Sequence, residues 1–169
     1  MKQYTFIILC VFALMGCNRP SRVEQYRAEK HLQDSIHLIE QQRTLAYYQT
    51  QLDSLMPTAD SLLALFRYEK NDRYQDHGYY VVNPQKLKIY NYDLRVMVRD
   101  DGQDLLVYRN GKRGAAEEFK AQSNNYRKAI ECAEHLQIVI RDTKELEKRI
   151  ARTSLEVQKY EKRLDKNAL

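Results

Sequence analysis

From Ala129 to the end of the chain, small and apolar residues recur alternately three and four positions apart. They run Cys132, Leu136, Val139, Thr143, Leu146, Ile150, Thr153, Val157, Tyr160 and Leu164. Few features restrict a fold more. An α-helix turns once every 3.6 residues, so this spacing holds one seam of a long helix towards a partner helix. Most positions off the seam are Lys, Arg, Glu, Asp, Gln or Ser, as a solvated helix face requires. The rest of the chain must therefore supply something for that seam to meet.

A second helical stretch begins at Ser21. The Ser21 hydroxyl is placed to accept from an exposed backbone N–H, with Glu24 three residues later completing a capping box. Leu32, Ile36 and Ile39 form one apolar stripe. A longer stripe then runs Leu38, Gln41, Leu45, Tyr48, Leu52, Leu55, Ala59, Leu62 and Phe66. The change of stripe resembles the register slips that locally unwind coiled coils. Pro57 removes a backbone donor and crowds the preceding turn, which predicts a kink or restart there. The helical run is expected to end by Asn71. Each helix spans about 50 residues, or roughly 75 Å. Two arrangements satisfy the seams: an antiparallel hairpin within one chain, or pairing with a second copy.

Between the helices the composition changes. Gly78–Asn83, Leu87–Tyr90 and Leu94–Arg99 are β-branched or aromatic runs of strand length. The third alternates cleanly, with Leu94, Val96 and Val98 on one face and Arg95, Met97 and Arg99 on the other. Asp100-Asp101-Gly102 and Asn110-Gly111 are turn signals, because such residues readily adopt positive φ. Asp104–Arg109 returns as a fourth strand. So small a sheet has to pack on the helix ends, through Leu62, Leu65, Phe66 and Phe119. The expected fold is mostly α with a small antiparallel β insertion: two long antiparallel coiled-coil helices with a three- or four-stranded tip. The predicted boundaries are 21–70 for the first helix, 78–112 for the tip and 115–166 for the second helix, all in a single domain over 17–169.

The first sixteen residues are of another kind. Lys2 is their only charge, and Phe6–Met15 is an unbroken apolar run. Ten residues are too few to span a bilayer as a helix, which takes about 20, but they suit a signal peptide. The run ends in Leu14-Met15-Gly16-Cys17, followed at once by Asn18-Arg19-Pro20-Ser21-Arg22. This resembles the lipobox of bacterial lipoproteins, with Leu three before the Cys and a small residue just before it. Met15 stands where that family usually has a small or β-branched residue. The resemblance implies cleavage after residue 16 and acylation of Cys17 with diacylglyceride and a further chain such as palmitate. Asn18 after the Cys implies delivery to an outer membrane, facing the periplasm. Several buried acyl chains, at about 0.8 kcal/mol per CH₂, anchor stably where a single chain does not.

Composition narrows the functional classes. A mean hydropathy of −0.71 with 30% charged residues argues against a membrane-spanning chain. Five Gly and three Pro argue against a loop-rich one. The net charge is +5, but its cations are interleaved with acids along the helices. Nucleic-acid binding is not expected of an exported protein. No phosphate-binding Gly-rich loop, nucleophile elbow or zinc-protease helix is present. His31 and His37 are six apart and so lie on different sides of a helix; no metal site or cofactor is expected. Glu69, Asp72, Asp76 and His77 read as a solvated charged helix end. Cys132 reads as a packed free thiol on the seam.

Thirteen Tyr and no Trp is the unusual feature of composition. Tyr combines a broad apolar ring with a polar end, which suits protein interfaces and sugar stacking. Tyr79, Tyr80, Tyr90, Tyr92, Arg95 and Arg99 are the expected partner contacts. Tyr79 and Tyr80 are adjacent and must point to opposite faces of a strand. The expected function is that of a non-enzymatic envelope lipoprotein, a coiled-coil spacer or scaffold presenting a Tyr-rich tip to an envelope protein. Self-association through the seam is possible. The alternative is a binding module for an anionic envelope glycan, peptidoglycan or lipopolysaccharide.

Overall fold

The computed structural model describes residues 21–70, 77–90 and 92–167. Eight elements follow in order: α1 (Arg22–Leu63), β1 (Phe66–Lys70), β2 (Gly78–Val82), β3 (Leu94–Arg99), β4 (Leu105–Arg109), β5 (Lys112–Arg113), α2 (Ala116–Lys120) and α3 (Asn124–Asn167). The described chain is mostly helical, with one antiparallel sheet whose strands lie side by side in chain order, β1-β2-β3-β4-β5. It divides into two compact units. One holds the residues up to Gln42 with those from Leu155 onward, and the other holds Arg43–Ser154. The lipobox, with Cys17, lies outside the described residues.

In the Arg43–Ser154 unit the core lies between one sheet face and α3. Val82, Leu94, Val96, Val98 and Val107 of the sheet meet Tyr126, Ala129, Ile130, Ala133 and Leu136. Small residues at 129 and 133 let the helix approach the strands closely. Val96, Val98, Ile130 and Leu136 are fully buried, and each contributes about 1.5–3 kcal/mol by leaving water. Leu62, Leu65, Phe66 and Phe119 pack against this cluster, as the sequence predicted. On α1, Leu45, Tyr48, Leu52, Leu55, Ala59 and Leu62 are sheltered, with Thr44 and Leu63 beside them. Arg149 of α3 lies over the Tyr48 ring, 5.8 Å from its centroid.

In the other unit, Asp34, Leu38 and Gln41 of α1 are sheltered and Val157 of α3 is buried. His37 stacks on Tyr160 at 5.7 Å, and Arg163 Nη1 stands 3.9 Å from Asp34 Oδ1. The stripe Leu32, Ile36, Ile39 is exposed instead. The capping box forms as expected: the Ser21 N–H donates to Glu24 Oε2 at 2.7 Å, and the Glu24 N–H donates to Ser21 Oγ at 3.2 Å.

Four boundaries differ from expectation. α1 ends at Leu63, and 66–70 is a strand that pairs in full with β2, from Phe66↔Val82 to Lys70↔Gly78. There Phe66 and Tyr68 alternate with Arg67 and Glu69, a two-residue period that prevails once the helix has closed its last turn through the Leu65 N–H to the Leu62 carbonyl, 2.9 Å. Leu87–Tyr90 is a turn rather than a strand. Asn83 Oδ1 accepts from the N–H of Gln85 and of Lys86, the Ile89 N–H donates to the Pro84 carbonyl, and Lys88 adopts φ 54°. The second helix is interrupted before it becomes continuous: Ser123 Oγ accepts from the Asn125 N–H at 3.2 Å and starts α3 afresh. Finally, α1 runs through Pro57 without restarting. Pro57 and Asp53 both lie on the exposed face, so water takes the carbonyl that loses its partner, while Leu55, Ala59 and Leu62 hold the helix from the sheltered side.

Candidate functional site

Strand alternation gives the sheet two unlike faces. With Leu94, Val96 and Val98 turned to the core, Arg95, Met97 and Arg99 turn away. The register carries this outer face across the sheet. Met97 pairs with Val81 on one side and Leu106 on the other, Arg95 sits opposite Tyr108, and Tyr79 opposite Arg99. Glu69 of β1 lies beside Tyr79. A depression of about 860 Å³ opens on this face, lined by Glu69, Tyr79, Arg95, Met97, Leu106 and Tyr108 among others.

Two carboxylates line it: Asp93, which Arg109 holds at 2.8 Å, and Glu69. Arg67 and Arg95 both ion-pair with Glu69, the first along its own strand and the second from β3. Two guanidiniums to one carboxylate leave a positive surplus beside the rings of Tyr79 and Tyr108. Arg95 Nε also lies 3.2 Å from Met97 Sδ. The floor is therefore apolar and aromatic, and its rim is cationic.

The predicted contact residues are distributed unevenly. Tyr79 and Arg95 lie on the outer face, and Tyr92 reaches the margin of the depression. Burial raises the Tyr92 phenol above its ordinary range; its hydroxyl has no hydrogen-bond partner, and its ring meets Tyr126 edge-on at 6.3 Å. Tyr80 points the other way, towards the core, and packs on Tyr68 at 5.3 Å. Tyr90 lies on the β2–β3 connection, 78% exposed, where its carbonyl accepts from Asn125 Nδ2 at 2.8 Å. Arg99 is engaged at the hairpin, 2.7 Å from Asp101 and 2.9 Å from Asp104. Sequence reasoning did not select Glu69, Met97 or Leu106. The alternation that placed Val96 inside also placed Met97 outside, so that signal was present; Glu69 had been assigned to a helix.

Other polar clusters brace the fold. Asp93 accepts from the Tyr126 hydroxyl and from Arg109 Nε at 2.8 Å, and those two bonds hold its carboxyl below the usual range. Arg109 also covers the Tyr126 ring at 5.5 Å. Lys120 joins Glu117 of α2 to Glu134 of α3. The Cys132 thiol is half-buried against the core, and burial raises its pKa. Asp72 and Asp76 lie outside the described residues. Among the described residues, no three His, Cys, Asp or Glu side chains gather as metal ligands, and no helix is long and apolar enough to cross a membrane. No family model matches this sequence, and neither the curated proteins nor the solved structures gave a match.

Proposed function

We propose that this chain is a membrane-anchored envelope lipoprotein without enzymatic activity, tethered through Cys17 at the outer membrane. It acts as a coiled-coil spacer that presents the outer face of its sheet to a protein partner. The observation that carries this reading is the composition of that face. Tyr79, Met97, Leu106 and Tyr108 make an apolar and aromatic floor with arginines at its edge, the mixture found at the centres of protein interfaces. Support for antiparallel pairing of α1 with α3 comes from contacts within each unit: Asp34 with Arg163 and His37 with Tyr160 in one, Tyr48 with Arg149 in the other.

A photo-crosslinking amino acid at Tyr79 or Tyr108, in cells, tests the reading. The same probe at Tyr80, one residue along the strand but turned to the core, is the geometric control. Cys17→Ala is the control for tethering. One discrete protein adduct from positions 79 and 108, absent at 80 and lost without the tether, is expected. Equal capture from 79 and 80, or no protein adduct from the outer face, would overturn the proposal.

The surplus guanidinium beside two Tyr rings favours a second reading, binding of an anionic envelope glycan such as peptidoglycan or lipopolysaccharide. It predicts capture by isolated polymer that weakens as salt screens the arginines.

A further inference from the structure

The spacing of the sheltered stripe of α1 in the first unit continues beyond Leu38, through Asp34 onto exposed positions. Followed towards the N-terminus at the same three-and-four spacing it becomes Asp34, Lys30, Arg27 and Val23. Two positions that continue an apolar seam are thus cations. Lys166 of α3 faces them, and with Val23, Tyr26, Ala28 and His31 these residues enclose a groove of about 650 Å³. No carboxylate lines it. Among the described residues, no salt bridge joins Arg27, Lys30 or Lys166 to an acid. Asp34, one turn further along, faces Arg163.

Three permanent positive charges around one small groove repel one another. An anion seated among them removes that repulsion. Beside the cations, Val23 and Tyr26 are exposed, at 59% and 65%. Tyr with cationic neighbours is the combination enriched where protein meets a membrane interface. The chain itself supplies the geometry: Cys17 precedes Ser21 by four residues, a span of at most about 14 Å.

We propose that this groove binds the phosphate headgroup of an anionic membrane lipid, with Arg27, Lys30 and Lys166 as its ligands and Val23 and Tyr26 at the acyl boundary. The inference rests on the lipid-anchor reading, because an acylated Cys17 brings the groove to the headgroup layer.

The test uses the full chain reconstituted in phosphatidylcholine vesicles, with or without about 30 mol% phosphatidylglycerol. A headgroup-photoactivatable phosphatidylglycerol tracer is included, and adducts are located by peptide mapping. Adducts are expected in 22–31 and 159–166 from the anionic vesicles. Arg27→Gln/Lys30→Gln/Lys166→Gln should reduce them roughly tenfold or more, since each cation adds to the attraction at an anionic surface. All three side chains are exposed, so the variant keeps the fold. Equal yields from wild type and variant, equal yields with and without bulk phosphatidylglycerol, or abolition by inorganic phosphate would overturn the proposal. Persistence in inorganic phosphate supports a bilayer source. The intact mass of the same preparation reads the anchor separately: an unacylated Cys17 overturns the tether, while the comparison of wild type with variant still decides the groove.

Discussion

At the scale of single residues, two glycines in similar conformations answer to different constraints. Gly102 has φ 73° and Gly111 has φ 75°, a region where a side chain costs about 1–3 kcal/mol. Gly111 follows Asn110 in an open turn, and a Cβ there meets nothing within 4 Å. Gly102 is pressed against α3, where a Cβ lies 3.0 Å from the Gln137 carbonyl oxygen and 2.7 Å from Arg141 Cγ. The arginine stem is able to move aside, but the helix backbone is not. Gly102→Ala should therefore lower the melting temperature clearly more than Gly111→Ala, and parallel thermal melts of the two variants check this. Equal losses would mean that strain, and not the approach of turn to helix, governs the β3–β4 connection.

Elements differ in how much of their stability comes from neighbours. Ile130 and Leu136 are fully buried between α3 and the sheet, and replacing either by Ala should cost about 2–5 kcal/mol. Ile36, on a stripe that looks equally apolar in the sequence, is exposed; Ile36→Ala should stay within about 0.5 kcal/mol. Denaturant titrations of the three variants separate the cases. The contrast also shows what was legible beforehand. Long-period features were: the stripe from Leu38 to Leu62, the seam of α3 and the Leu94–Val98 alternation each repeat enough times for one spacing to prevail. Short features were not. Phe66–Lys70 continues a helical stripe for one more step, and only pairing with β2 shows it to be a strand. Leu87–Tyr90 has strand composition, but the Asn83 side chain and Pro84 offer the backbone local hydrogen bonds that win. Of the candidate site, alternation set Arg95 and Met97 apart from Val96, and Tyr79 apart from Tyr80. The register that brings Tyr79 and Arg95 to one face and the reach of Arg95 to Glu69 depend instead on strand pairing that no local pattern encodes.

For the molecule as a whole, the division into two units has a dynamic correlate. The Arg43–Ser154 unit closes a core of strands and helix, while the other buries only a narrow stripe and leaves Leu32, Ile36 and Ile39 in water. Hydrogen exchange should therefore protect the amides of β3 and of Ala129–Leu136 far longer than those of the first turns of α1. Uniform protection along α1 and α3 would show that they open as one body. The order of the strands carries a further consequence. Each pairs only with its neighbours in the chain, so hairpins are free to form successively as the polypeptide is made. The apolar underside of that sheet, however, is covered by α3, which is synthesised last. Until residues beyond Tyr126 arrive, α3 does not cover Val96 and Val98, and the nascent chain exposes an apolar surface. That exposure follows from the topology, and it ends when the C-terminal helix docks.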